Sequence, residues 1–233
     1  MAPGAEGLDG VELFALTPSI DADALRPRLA LAPALGPRLA VVLRGPGPGA
    51  RATLALAREA EAALRPYGAW LFVSRRVDVF SALRAAAPGA RLGLALPEAA
   101  MAPSDARRLV GAGVVILASR HSLADARRAA EDGASAILAS PFAPTPAKPG
   151  ATPLGVDGLA AWVRALAPTP VVALGGIDAA NVAAAWGAGA AAIAAIRGAI
   201  DGGARGARAL LGDDSRGARP GSSTAADTSP RKI

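Results

Sequence analysis

The chain has 233 residues, 52% hydrophobic but only 3% aromatic, which suffices for one large domain with a core of Ala, Leu and Val. No apolar run approaches the ~20 residues of a membrane span, there is no cysteine for a disulfide or thiolate metal site, and MAPGAEGLDG lacks the pattern of a signal peptide, so the expectation is a cytoplasmic protein with no membrane partner. The net charge of +6 is carried by arginines scattered over helix faces (Arg58, Arg65, Arg107, Arg108, Arg127, Arg128), without a basic stripe interleaved with aromatics, so nucleic acid is not an expected partner.

Residues 1–10 read as a flexible leader. Val11–Leu16 is a short strand stopped by Thr17-Pro18, and Asp21–Ala34 a helix weakened by Pro27 and Pro33. Arg38–Leu43 is a second strand, ending at Arg44. Ala50–Arg65 is a helix with Leu54, Ala57, Ala60 and Leu64 on one face. Ala69–Val73 is the third strand, followed by Ser74-Arg75-Arg76 and a helix over Asp78–Ala86. After a fourth strand, Arg91–Leu96, Ser104 is expected to cap a helix ending at Gly111. Val114–Ala118 runs into Ser119-Arg120-His121, and the next helix closes at Gly133. Ala136–Ala139 leads into Ser140-Pro141-Phe142 and a Pro-rich loop carrying Thr145 and Lys148. A helix over Val156–Leu166 precedes the seventh strand, Val171–Leu174, which ends in Gly175-Gly176-Ile177. Asp178 is expected to cap a helix reaching Gly187. Ala190–Ile196 is the eighth strand, and a last helix runs from Gly198 to Leu211. Residues 212–233 are polar and are expected to be a disordered tail.

Continuously apolar strands separated by amphipathic helices require a parallel sheet covered on both faces. Eight such units over residues 11–211 fit the α/β class as a single (β/α)8 TIM barrel, with a doubly wound open sheet as the alternative.

In a parallel barrel, ligands gather where strands end. His121, the only histidine, could take and give a proton near neutral pH; the bland alternative is an inert histidine in a helix's first turn. Lys148, the only lysine before Lys232, suits a phosphate or carboxylate together with the Thr145 hydroxyl, or is an ordinary surface lysine. Gly175-Gly176 could offer backbone N–H groups to an anion, helped by a following helix dipole and by Arg197, or could be a tight turn needing glycine for geometry alone. No strand end carries paired carboxylates, and Glu98 stands alone after strand four, so a magnesium site is hard to build. There is no G-x-G-x-x-G and no P-loop.

The run from Ser119-Arg120-His121 through AILASPFAPTPAKPG, followed by PVVALGGID and AGAAAIAAIRGAI, resembles the thiamine-phosphate synthase superfamily, from LFALTP at Leu13 to the last strand. The resemblance implies a (β/α)8 barrel and one of two activities. One is a magnesium-dependent synthase that joins a pyrimidine pyrophosphate to a thiazole phosphate. The other is a metal-free thiazole tautomerase. Where the synthase has Q-L-R-x-K, this chain reads Val42-Leu43-Arg44-Gly45-Pro46, keeping Arg44 alone. The Asn-Asp pair after strand three is Ser74-Arg75, and the second metal aspartate aligns with Ala100. The T-x-T-K loop becomes Thr145-Pro146-Ala147-Lys148, while the glycine pair is kept.

The resemblance therefore points to the tautomerase-like branch, with His121 transferring the proton, no cofactor, and magnesium only in a true synthase. The phosphate of a small phosphorylated thiazole is expected on Gly175, Gly176, Ile196 and Arg197, with Arg44, Ser119, Thr145 and Lys148 completing the binding set. The alternatives are a synthase with rearranged ligands and a non-catalytic phosphometabolite-binding member. A homo-oligomer is left open.

Overall fold

A computed structural model describes residues 8–197 and 200–212. Eight short strands, β1 (Leu13–Leu16), β2 (Leu39–Leu43), β3 (Trp70–Ser74), β4 (Leu92–Leu96), β5 (Val115–Arg120), β6 (Ala136–Ala139), β7 (Val171–Leu174) and β8 (Ala192–Ala195), are all parallel. They close in chain order, with Leu13 and Phe14 of β1 opposite Ile193 and Ala194 of β8. The sheet is closed and not open, and every residue of β2 and β4 is buried. One face looks into the barrel and the other lies under helices, so no strand needs polar alternation.

The inner face mixes Val and Leu with small residues, Ala40, Ala95, Ala136, Ala192 and Ala194, and three aromatics fill the space these leave. Phe72 stacks obliquely on Phe14 and Trp70, with ring centroids 5.7 and 5.8 Å apart. Gly93 makes room for it, since a Cβ there would lie 2.1 Å from the Phe72 ring. The outer layer joins Leu13, Val41, Leu71, Leu94, Ile116, Ile137 and Ile193 to the helices.

The helices are α1 (Ala22–Leu29), α2 (Ala32–Leu35), α3 (Ala50–Leu64), α4 (Val77–Ala86), α5 (Pro103–Val110), α6 (Leu123–Glu131), α7 (Gly155–Leu166), α8 (Val182–Gly187) and α9 (Gly203–Leu211). Several differ from the sequence expectation. The helix expected over 21–34 is two: the Asp21 carboxylate caps α1 by accepting the Ala24 N–H at 2.7 Å, and Pro33, which cannot continue a helix, opens α2 instead. Ser104 is not the cap of α5. Pro103 occupies the first turn, where its missing N–H costs nothing, so the helix starts two residues earlier, after Ala102.

Asp178 does not cap α8 either. Its carboxylate accepts the N–H groups of Ala180 and Asn181 at 2.9 and 3.1 Å, a local turn that delays the helix to Val182. The last helix runs over Gly203–Leu211 and closes on Gly212 in the left-handed region, while the start expected at Gly198 lies outside the described residues. At the other end of the chain, Leu8 belongs to the fold: it packs against the inner cluster and accepts the Val11 N–H at 3.0 Å. Residues 1–7 of the expected leader and 213–233 of the expected tail lie outside the described residues.

Candidate active site

Strand alternation decides which residues reach the barrel mouth. Leu117, Leu138 and Leu174 form part of the inner layer, so Ser119 and His121, Ser140, and the corresponding Arg44, Ser74 and Ile196 follow them toward the same end. There a cavity of about 570 Å³ opens, and Arg44, Ser119, His121, Thr145, Lys148, Gly175 and Ile196 all line it. Gly176 and Arg197 line an adjoining cavity of about 320 Å³ that shares Thr145, Gly175 and Ile196 with the first. The residues singled out from the sequence thus share one mouth.

His121 follows the last residue of β5 and precedes Ser122, the cap of α6, so it is not in a helix's first turn. Ser122 caps α6, its hydroxyl accepting the Asp125 N–H at 3.1 Å, and this fixes the backbone that carries the imidazole. Nδ1 of His121 lies 2.9 Å from the Ser140 carbonyl oxygen. A carbonyl only accepts, so Nδ1 must carry the hydrogen, and in neutral imidazole Nε2 keeps the lone pair. Lys148 Nζ lies 2.8 Å from Nε2 and 3.3 Å from the Ser140 hydroxyl. It is also 2.9 Å from Nδ1, but with that nitrogen committed to Ser140 its hydrogen bond goes to Nε2. Glu98 Oε2 is 3.7 Å from Nε2. Burial lowers the pKa of Lys148, Arg44 lowers it further, and Glu98 opposes the shift. The ammonium is therefore a readier proton donor than a free lysine.

On the other side of the mouth, Thr17 is fully buried and holds the backbone of Arg44 twice. Its hydroxyl donates to the Arg44 carbonyl at 2.7 Å and accepts the Arg44 N–H at 2.9 Å. Burial lowers the pKa of Arg44, and the charge of Arg75 lowers it further. Arg75 has φ of 63°, the one non-glycine residue in the left-handed region among those described.

The glycine pair serves packing as well as any anion. The loop after β6 continues the sheet onto β7, with Phe142 N–H on the Leu174 carbonyl and Ala143 N–H on the Gly175 carbonyl, both at 2.9 Å. A Cβ on Gly176 would fall 2.5 Å from the Pro144 carbonyl oxygen. Since α8 starts only at Val182, the expected helix dipole does not act on the pair. The N–H groups of Gly176 and Arg197 make no hydrogen bond among the described residues.

Sequence reasoning missed three contributors. Ser140 anchors the histidine through its carbonyl. Arg28 is buried and donates to the carbonyls of Leu16 at 3.1 Å, Ala24 at 3.0 Å and Ile196, tying β1 to the end of β8. Arg120, buried between strand ends, donates to the Leu96 carbonyl at 3.2 Å. Period-two alternation from Leu138 could have found Ser140. Nothing in the sequence marks two arginines out of many as buried.

A family model described as thiamine monophosphate synthase matches residues 14–199. A putative thiamine-phosphate synthase of Geobacter sulfurreducens is 41% identical over 137 residues, covering 58% of this chain and 61% of that protein. A thiamine-phosphate synthase of Methanoculleus marisnigri is 44% identical over 119 residues, covering 50% of this chain and 52% of that protein. The aligned stretch thus spans between half and two thirds of these relatives. The solved structure of a thiamine phosphate pyrophosphorylase from Pyrococcus furiosus superposes with a TM-score of 0.72 at 24% identity, covering 88% of this chain and 98% of that one, a likeness of fold.

Proposed function

The chain belongs to the thiamine monophosphate synthase family, and from that premise we propose that it acts in thiamine biosynthesis as a metal-independent tautomerase of a phosphorylated thiazole carboxylate. The observation that carries this reading is the committed imidazole: Nδ1–H is held by Ser140, so Nε2 is the nitrogen that reacts. The substrate phosphate sits on the N–H groups of Gly176 and Arg197 beside Gly175 and Ile196. Nε2 takes a proton from a ring carbon and returns it to the exocyclic carbon, which aromatises the thiazole. Lys148, displaced from Nε2 by substrate, stays close enough to stabilise the charge that develops meanwhile. Arg44, Arg75 or Lys148 holds the carboxylate.

Magnesium, which the resemblance to synthases implies, does not fit the residues present. The places of its aspartates hold Arg75 and Ala100, and no group of three His, Asp or Glu among the described residues could hold a metal ion. The names of the relatives favour a second reading, a thiamine-phosphate synthase with a different ligand set.

The two readings separate in one pair of assays. Tautomer interconversion, followed by deuterium uptake from solvent, should fall by ~10²–10⁴-fold in His121→Asn. Full rate in that variant removes His121 from the chemistry. Coupling of a pyrimidine pyrophosphate to a thiazole phosphate that rises with added Mg²⁺ establishes the synthase instead.

A further inference from the structure

We propose that Arg44 and Arg75 form a fixed anion subsite at the rim of the barrel mouth, which binds a carboxylate or phosphate group directly and takes the electrostatic place of a divalent cation. The first support is a charge without a partner. Arg38, Arg65 and Arg76 each pair with an acid, Glu12, Glu61 and Asp78. Arg44 and Arg75, which both line the large cavity, have no acidic partner among the described residues. Instead the charge of Arg75 reaches Arg44, which is half-buried. Arg75 is exposed, so the cost falls on the half-buried Arg44, which an anion bound beside it would relieve.

The second support is how the pair is held. The backbone of Arg44 is held by Thr17. Arg75 is held in the left-handed region, its N–H on the Ala95 carbonyl at 3.0 Å, while the Arg76 N–H folds back onto the Ser74 carbonyl at 2.7 Å. This tight turn separates two adjacent arginines. Arg76 turns to Asp78, with Nε 2.8 Å from Oδ1, while Arg75 stays on the cavity wall. A strained backbone at a site residue is retained where the surroundings over-determine it. Across the mouth, Lys148, His121 and Glu98 already engage one another. Guanidinium forks match the two oxygens of a carboxylate or phosphate, and need no metal to do so.

The carboxylate as natural occupant rests on the proposed tautomerase reading; the subsite itself does not. The probe is inorganic pyrophosphate, titrated calorimetrically into the full chain with EDTA and again with Mg²⁺. Arg75→Asn tolerates the left-handed backbone while removing the charge, and Arg44→Gln tests the partner, with folding of each checked by thermal melting. Binding in EDTA is expected in the unaltered chain and should weaken at least tenfold in both variants. Binding that needs Mg²⁺, or that is unchanged in Arg75→Asn, overturns the subsite. Neither result depends on proton transfer, so the subsite can fail while the tautomerase stands, and the reverse.

Discussion

Adding one methyl group at Gly176 tests how the loop that carries Lys148 is held. Gly176 has φ of 67°, where an L-residue with a Cβ costs about 1–2 kcal/mol. The added Cβ would also lie 2.5 Å from the Pro144 carbonyl oxygen and 2.6 Å from that of Ala143. Both are backbone atoms, so relief requires moving the chain, and overpacking of this kind costs a further ~1–3 kcal/mol. Gly176→Ala should therefore lose about 2–5 kcal/mol by urea unfolding. Gly175→Ala is the internal control. Its φ of 98° carries a backbone cost of similar kind, but its nearest contacts are 3.1 Å to Pro141 Cα and 3.2 Å to Pro141 Cβ, which a shift of a few tenths of an ångström relieves. It should lose about 1–2 kcal/mol. Because the same loop places Lys148 against His121, Gly176→Ala should also lower activity under conditions where it remains folded. If Gly176→Ala keeps full stability, or proves milder than Gly175→Ala, the glycine pair is not there for close approach of the loop, and the packing argument fails.

Arg28→Met should destabilise the barrel by ~2–3 kcal/mol, because it strands the Leu16 and Ile196 carbonyls that the guanidinium satisfies; chemical denaturation within 0.5 kcal/mol of the unaltered chain would contradict this. Lys148 gives a pH signature. Its pKa is lowered in the folded chain from the ordinary 10.5, chiefly by burial, so the unfolded chain holds the proton more tightly. The charged amine thus costs stability in full below the folded pKa, and that cost fades as pH rises toward 10.5. Measured against Lys148→Met, the unaltered chain should gain stability through that alkaline window; a flat difference in melting temperature across it would show that burial does not penalise the ammonium.

Much of the fold is legible in the chain itself. Runs such as Ala136–Ala139 and Val171–Leu174 coincide with β6 and β7 residue for residue, because a strand buried on both faces must be apolar without interruption. Their regular alternation with helices is enough to require a parallel sheet. Element ends are less legible. Ser104 and Asp178 are good capping residues by type, yet Pro103 and an Asx turn prevail at those places, since side-chain chemistry within a single turn competes with the helix.

The rarity of His121 and Lys148 in this composition marks them as worth weighing, but what they do to each other depends on distance. One follows a strand end and the other lies in a loop that the β7 glycines hold against the mouth, and the parallel pairing of β5 with β6 brings Nζ within 2.8 Å of Nε2. The same holds for Arg44 and Arg75. Each is one arginine among many in the chain, and the tertiary structure alone brings both to the lining of one cavity, where no Asp or Glu stands among the described lining residues. Local pattern determines which segments are buried, because burial is averaged over a strand or a helix face. Pairing of charges is decided by ångström separations between separate segments of the chain, and these exist only once the strands that carry them have paired.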